Sequence, residues 1–473
     1  MAETSSPSIA VVGGGITGLS AAHALTRAGA RVRLFEANDR VGGPVHSTRE
    51  GEWLIESGPN SLQEASPAVT ALITELGLDA DRVSAQPEAK NRYILRDSRP
   101  VAAPTSPPGL FASKLFGLGT KLRVLTELTK RPRFRRIDIS LAAFARAHFG
   151  SELVDYGIDP FVSGVYAGDA EKLSARHAFP SLWKMEREHG SLIRGQIAAA
   201  KARRAASGRS GPPPIISFRE GLGQLPDALA ASLPADTMEL GSRVETLFPG
   251  EKWQLVWSRD GQTHNETFDR IILTLPAAGL ARLAVGSLGE RPLAALSEIV
   301  YPSVAALFLG YRRDQVRHAL DGFGLLVPSR ERRHVLGILF SSSLFLGRAP
   351  AGHVALTVML GGSRRPDLGQ AELDQILPLV RQELAELLGV TGDPVFVRHQ
   401  RWPRAIPQYN LGYERFLEVM TATELRHAGL LIGGHVRDGI ALPNCLAAGQ
   451  TLAARALADE GGLFTLPAAT SRP

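Results

Sequence analysis

The hydrophobic pattern changes character along the chain, and those changes divide it. Ser8-Ile-Ala-Val-Val12 is a short apolar run rich in β-branched residues, the pattern of a strand buried on both faces. A glycine turn follows, and Leu19, Ala22 and Leu25 then recur at helical spacing to about Ala28. Arg31-Val-Arg-Leu-Phe35 predicts a second strand. From Pro100 to Pro214 the periodicity is mostly helical. Pro104, Pro107 and Pro108 open that stretch and Gly208-Arg-Ser-Gly-Pro-Pro-Pro214 closes it. Strand character returns at Ile215-Ile-Ser-Phe218, at Glu239 to Leu247 and at Ile271 to Leu275. Residues 288–408 alternate strands (Val304 to Leu309, Val354 to Leu360) with helices such as Glu372 to Leu388. Gly429-Leu-Leu-Ile-Gly-Gly434 predicts a last strand, followed by a helix from about Asn444 to Ala458. The two ends of the chain read as parts of one nucleotide-binding domain.

The turn between the first strand and helix is Gly13, Gly14, Gly15, Ile16, Thr17, Gly18, a G-x-G-x-x-G closed by Glu36 at the end of the second strand. The residue types match a dinucleotide. Gly13 allows the tight turn, Gly15 lets a pyrophosphate approach the backbone, and Gly18 lets the helix pack on the strand. The phosphates then meet free N–H groups at a helix N-terminus, and Glu36 accepts from ribose hydroxyls. Strand, glycines, helix, strand and acid in this order carry far more weight than the glycines alone.

Composition narrows the classes further. At 473 residues two or three domains, or one large discontinuous fold, are expected. With 44% hydrophobic and 21% charged residues, the chain can bury a sizeable core and is not of disordered composition. The single cysteine, Cys445, excludes a disulfide framework and a Cys-rich metal site. No G-x-S-x-G, H-E-x-x-H or paired ligand spacing is present, so no metal is expected. No secretory leader is expected from Met1 to Pro7, and no apolar run reaches the roughly 18 residues of a spanning helix.

Arg40-Val-Gly-Gly43 and Glu56-Ser-Gly-Pro-Asn-Ser61 add an R-x-G-G turn after the ribose acid, as in the amine-oxidase-like FAD flavoproteins. Further peptides, in order, are Asn91-Arg-Tyr93, Gly164-Val-Tyr-Ala-Gly168, Phe179-Pro-Ser-Leu182, Gly322-Phe-Gly-Leu-Leu-Val-Pro328, Val358-Met-Leu-Gly-Gly362 and Ile406-Pro-Gln-Tyr-Asn-Leu-Gly412. Over nearly its whole length the chain resembles the oxygen-dependent protoporphyrinogen IX oxidase family, closest to its bacterial members.

The resemblance implies an α/β fold. A Rossmann-like FAD-binding domain of p-hydroxybenzoate hydroxylase-like topology is expected from residues 1–90, 214–287 and 424–473. A mixed α+β substrate domain is expected from 91–98 and 288–423, and an α-helical, membrane-associated insertion from 99–213. It implies FAD contacts at Gly13 to Gly18, Glu36, Ala37, Arg40, Gly43, Pro44, Gly58, Pro59, Asn60 and Ser61, and at Val244, Trp402, Gly439, Ile440, Ala441 and Leu442. The helix after Leu442 would aim its N-terminus at the pyrimidine edge of the flavin. Here the chain departs from the family, with Asn444 where an Asp is usual before the cysteine. Arg92 matches the arginine that pairs with a substrate propionate. Phe323, Leu326, Leu339 and Met359 match apolar walls around a tetrapyrrole, and Gly164 matches a backbone approach to its ring.

The implied reaction is six-electron oxidation of protoporphyrinogen IX with O2 as acceptor and hydrogen peroxide as product, in heme biosynthesis. No side chain is singled out as general base. Three rivals stay open: a coproporphyrinogen III oxidase of the same fold, another enzyme of the superfamily (an amine oxidase or carotenoid desaturase), and a non-catalytic basic module on membrane or nucleic acid. No nucleic-acid-binding signature is present, so nucleic acid is not expected as a partner. A homodimer and contact with the next enzyme of heme synthesis stay open.

The net charge of +6 (53 basic against 47 acidic residues) has a local source. Lys121, Arg123, Lys130, Arg131, Arg133, Arg135 and Arg136 fall together, opposed by Glu127 and interleaved with Leu122, Val124, Leu125 and Leu128. Such a stretch suits an anionic membrane surface. The expected location is cytoplasmic and peripherally membrane-associated, on the cytoplasmic side of a bacterial inner membrane.

Overall fold

The computed structural model of the chain describes residues 6–64, 66–207, 213–287 and 289–458. Residues 208–212 of the expected linker and 459–473 of the expected C-terminal segment lie outside the described residues.

Five strands form one parallel sheet, ordered Met238–Glu239, Arg31–Phe35, Ser8–Val12, Arg270–Leu273, Leu430–Ile432. The beginning, middle and end of the chain therefore meet in one layer. Ser8–Val12 is buried at every position, as its unbroken apolar run requires. Ile9 and Val11 face the helices Ile16–Arg27 and Leu442–Leu457 and join Leu19, Leu25, Leu446 and Leu452 in one core. Ala10 and Val12 face the other way, toward Trp257 and Phe268 of an antiparallel meander. The expected strand from Glu239 to Leu247 is two strands. Met238–Glu239 pairs with Leu34 and Phe35, whereas Arg243–Phe248 joins the meander. Gly241, at φ +65°, turns the chain between them.

A seven-stranded sheet follows the order Phe396–Trp402, Val304–Arg312, His353–Gly361, Val335–Leu339, Gly322–Leu326, Asn91–Arg96, Arg99–Ala102. Alternate residues point to opposite faces. Leu307, Leu356 and Val358 meet Ile376, Val380 and Leu384 of the helix Leu373–Leu388. The other face is left for the site. Arg99–Ala102 pairs with Asn91–Arg96, so the helical segment begins after Ala102 rather than at residue 99.

That segment runs through Pro107–Ala112, Leu118–Glu127, Leu141–Phe149, Asp159–Tyr166, Pro180–His189 and Leu192–Ser207, with shorter turns between. Its buried side includes polar groups. Glu127 accepts from Ser191 Oγ (2.6 Å) and Leu192 N (2.6 Å), and His148 lies between Glu127 (2.9 Å) and Glu186 (3.0 Å). Two of the expected basic surface residues also turn inward. Lys121 donates to the carbonyls of Phe111 (2.7 Å) and Ser113 (2.9 Å), and Arg135 grips Glu186 with two bonds. The leucines of the same helix point outward: Leu118 is 78% exposed and Leu122 61%.

Candidate active site

The glycine turn is shaped by backbone packing. Gly13 sits at φ +110°, and a Cβ on Gly18 would overlap the Gly13 carbonyl oxygen. Nothing lies within 4 Å of where a Cβ on Gly15 would be, so the turn is open on that side. Gly14 N donates to Glu36 Oε2 (2.8 Å) and Asn38 N to Oε1 (2.9 Å), which fixes the carboxylate beside the turn. Ile16 and Thr17 begin the helix Ile16–Arg27, which no side chain caps. Its first N–H groups are available to an anion.

The other expected cofactor residues gather around this turn. Gly42 N donates to Gly14 O (2.8 Å), which seats Gly43 and Pro44 alongside, and Gly58 packs on the Pro44 carbonyl. Ser242 N donates to Glu36 O (2.8 Å), bringing Val244 near the ribose acid. Ala37 follows Glu36 directly, and Trp402 Nε1 donates to Ser57 O (2.9 Å), next to Gly58. Asn60 Nδ2 donates to Gly58 O (3.2 Å), curling the stretch that contains Pro59 and Ser61. Arg40 is exposed, and its Nη1 donates to the neighbouring Val41 carbonyl (3.1 Å).

Residues Gly439, Ile440, Ala441 and Leu442 lead into the helix Leu442–Leu457. This helix packs on Ile16–Arg27, with Ser20 Oγ donating to Leu446 O (2.8 Å). Its first turn carries no acid, since Asn444 stands there. Three tyrosines, Tyr409 within a family-like peptide and Tyr301 and Tyr413 outside any, brace this segment. Gly439 N donates to Tyr409 Oη (3.1 Å), whose hydroxyl donates to His435 O. Tyr413 Oη donates to Val436 O (2.6 Å), and Tyr301 Oη meets His435 Nε2 (3.1 Å). Burial pushes His435 down to about 4, so its imidazole is neutral at physiological pH. Burial likewise pushes the Cys445 thiol up to about 11, which suits packing rather than redox chemistry.

The expected substrate residues share one face of the seven-stranded sheet. Gly324 pairs with both Arg92 and Leu339, and Gly337 pairs with both Leu326 and Met359. With alternation along each strand, Arg92, Leu326, Leu339 and Met359 lie opposite the helix-covered face. Phe323 occupies a bulge, with the Arg92 guanidinium 5.5 Å from its ring centre. Gly164, on the helix Asp159–Tyr166, abuts Leu326 so closely that a Cβ there would overlap Leu326 Cδ2. Arg364 holds that helix to the sheet, bonding Asp159 (3.0 Å), Ser163 (2.7 Å) and the Val327 carbonyl (2.8 Å). Among the described residues no carboxylate pairs with Arg92, which leaves an exposed cation at the end of an apolar wall.

The model of the family described as flavin containing amine oxidoreductase matches residues 16–457. The chain belongs to this family. Among its relatives, protoporphyrinogen oxidase 2, chloroplastic/mitochondrial, of Arabidopsis thaliana is 36% identical over 467 residues, covering 93% of this chain and 92% of the relative. Coproporphyrinogen III oxidase of Propionibacterium freudenreichii is 31% identical, covering 98% and 93%. A crystal structure from Exiguobacterium sp. 255-15 shares the fold, with a TM-score of 0.78 at 24% identity over 95% of this chain and 98% of that one. The protein is thus a FAD-dependent oxidoreductase, homologous to the protoporphyrinogen oxidases. The turn fits that cofactor: it is open at Gly15, presents uncapped N–H groups, and holds the Glu36 carboxylate beside it at the end of the second strand.

Proposed function

We propose that the protein oxidises protoporphyrinogen IX to protoporphyrin IX, removing six electrons with O2 as acceptor and hydrogen peroxide as product. The observation that carries this reading is Arg92, a cation without a carboxylate partner among the described residues, at the end of the wall formed by Leu326, Leu339 and Met359. FAD, when bound, supplies a hydride acceptor that O2 can reoxidise. The protein's part is binding and orientation. Arg92 pairs with a propionate through two parallel hydrogen bonds. Leu326, Leu339 and Met359 exclude water from one face of the macrocycle, and Gly164 permits close approach beside Leu326. Gly13 to Gly18, Glu36, Ala37, Gly43, Pro44, Gly58 to Ser61, Val244, Trp402 and Gly439 to Leu442 are the proposed cofactor contacts, with Arg40 reaching them from solvent. We assign no general base.

The proposed domains are a cofactor domain around the parallel sheet, a substrate domain around the seven-stranded sheet including Arg99–Ala102, and a helical insertion from 103 onward. Outward-facing Leu118, Leu122 and Leu125 beside Arg123, Arg131, Arg133 and Arg136 support peripheral attachment to an anionic membrane, on the cytoplasmic side of a bacterial inner membrane. Among the described residues no helix is long and apolar enough to cross a membrane. Sedimentation with anionic liposomes at low salt tests attachment, and protein left in the supernatant rejects it.

Turnover of protoporphyrinogen IX against coproporphyrinogen III, followed by porphyrin fluorescence, tests the substrate. Preference for coproporphyrinogen, with its four propionates, would move the assignment to the function named for the Propionibacterium relative.

A further inference from the structure

We propose that Arg348 is a positioning residue that locks the cofactor-contact stretch at residues 58–61 to the substrate wall, acting through Glu56. The proposal rests on FAD occupying the site and not on which porphyrinogen is oxidised. Arg348 belongs to the connection between the strands Val335–Leu339 and His353–Gly361 of the substrate sheet. It nevertheless reaches into the cofactor side. Its side chain is almost fully buried (2% exposed), and Nη2 donates to Ser217 Oγ (2.7 Å) and Phe218 O (3.2 Å) of the strand Ile215–Phe218. Nη2 also lies 3.8 Å from Glu56 Oε1, and the guanidinium stands 5.4 Å from the centre of the Phe345 ring. Leu54 N donates to the Arg348 carbonyl (3.4 Å), so backbone and side chain both engage the strand Trp53–Glu56.

Glu56 is the other half of the lock. It is 7% exposed and stands two residues before Gly58. Oε1 accepts from Leu222 N (2.9 Å) and Oε2 from Ser47 Oγ (2.5 Å). A small cavity beside the pair is lined by Asn60 from the cofactor stretch, Leu339 from the substrate wall, Ser341 and Phe345. Nη1 of Arg348 has no partner among the described residues, so the guanidinium retains a donor in this region. One buried charge pair therefore bonds the strand Ile215–Phe218 and shares a cavity with Asn60 of the cofactor stretch and Leu339 of the substrate wall.

Burial raises the Glu56 carboxyl above its usual range, and the Arg348 charge is one of the influences opposing that rise. The other charges near this pair, Arg49 and Glu220, are bonded to each other (2.5 Å) nearer the surface. Removing Arg348 leaves a buried carboxylate without its counter-charge. In acid Glu56 is then neutral and stays hydrogen-bonded in place. As pH rises it must ionise, and it leaves the interior, taking residues 58–61 out of register.

The test is FAD binding itself, read by titrating apoprotein with FAD and following flavin fluorescence. For R348M, affinity should be about tenfold weaker near pH 8 than near pH 6, because roughly one unit of carboxyl titration is coupled to the bound state. Wild type and the double variant E56Q/R348M should vary by less than about twofold over the same range. A flat R348M profile overturns the proposal, as does an E56Q/R348M profile as steep as that of R348M. If R348M does not fold, the double variant decides. Recovery of folded, FAD-binding protein in E56Q/R348M supports the lock, and failure of both variants assigns Arg348 to general packing and overturns it.

Discussion

The cofactor groove and the helical insertion both bury polar groups, and they do so in opposite ways. At the C-terminal side of the groove the bracing side chains are neutral, whereas the glycine turn is held by the Glu36 carboxylate. Tyr301, Tyr409 and Tyr413 hold the 435–439 stretch, and His435 is uncharged. In the insertion the interior holds charges. Opposing Glu127 and Glu186 hydrogen bonds outweigh the burial that would neutralise His148, and its pKa is raised. Arg135 and His148 in turn hold Glu186 at about 2. Leu115, Leu141, Leu173 and Leu192 fill the rest of that interior, whereas Leu118, Leu122 and Leu125 of the helix Leu118–Glu127 are outside. A turn that presents uncapped helix N–H groups is completed by a ligand that brings its own charge. A helix that turns Lys121 and Glu127 inward and Leu118, Leu122 and Leu125 outward is suited to surroundings less polar than water.

The largest expected effects lie where backbone shape is the whole design. Gly18→Val places a branched side chain against the Gly13 carbonyl and should abolish FAD binding, a loss beyond about 3 kcal/mol, read as absence of the flavin absorption bands from folded protein. If Gly18→Val kept its flavin, the groove would not be backbone-determined.

Charge removal in the insertion comes next. Glu127→Ala strips His148, Ser191 and two backbone N–H groups of their acceptor and should cost about 3 kcal/mol, measured by denaturant unfolding. The same cluster fixes a pH dependence. The folded pKa of His148 is raised above its usual value, so its contribution to stability is complete below that usual value and is lost as pH rises through the raised one. Alkaline pH should therefore lower the unfolding midpoint of wild type. His148→Gln should be less stable overall and lose that alkaline slope. A wild-type slope shared by the variant would show that the His148 charge does not set it.

Arg92→Ala should raise KM about tenfold to a hundredfold, the loss of one charge-assisted pairing, with FAD content unchanged. An unchanged KM would take Arg92 out of the substrate site. The smallest effect is expected on the outer face. Leu122→Asp should change stability by less than about 0.5 kcal/mol while reducing liposome binding, because the side chain has little protein to contact.

The same contrast explains what was legible in the sequence. The glycine turn and Glu36 were readable because tight turn, phosphate approach and ribose acid fall within one βαβ unit at fixed spacing. The sheet around them was only partly readable, since Ser8–Val12 pairs with Arg270–Leu273, a partner from the middle of the chain. The break at Gly241 was hidden because two short strands of different sheets follow one another within a few residues of sequence. The tyrosine brace escaped notice for a related reason: Tyr301 and His435 meet only in the folded chain. In Leu118–Glu127, periodicity predicted two faces but could not say which faced outward. That depended on Lys121 finding the Phe111 and Ser113 carbonyls and Glu127 finding His148. Arg92, Leu326, Leu339 and Met359 were found through the family's peptides, and only strand register puts them on one face.

The most direct test of the central claim is anaerobic mixing of the FAD-loaded protein with protoporphyrinogen IX, followed by admission of O2. The oxidised flavin band should bleach on mixing and return with O2, while porphyrin fluorescence appears. A flavin band that stays unbleached under saturating protoporphyrinogen would contradict that claim.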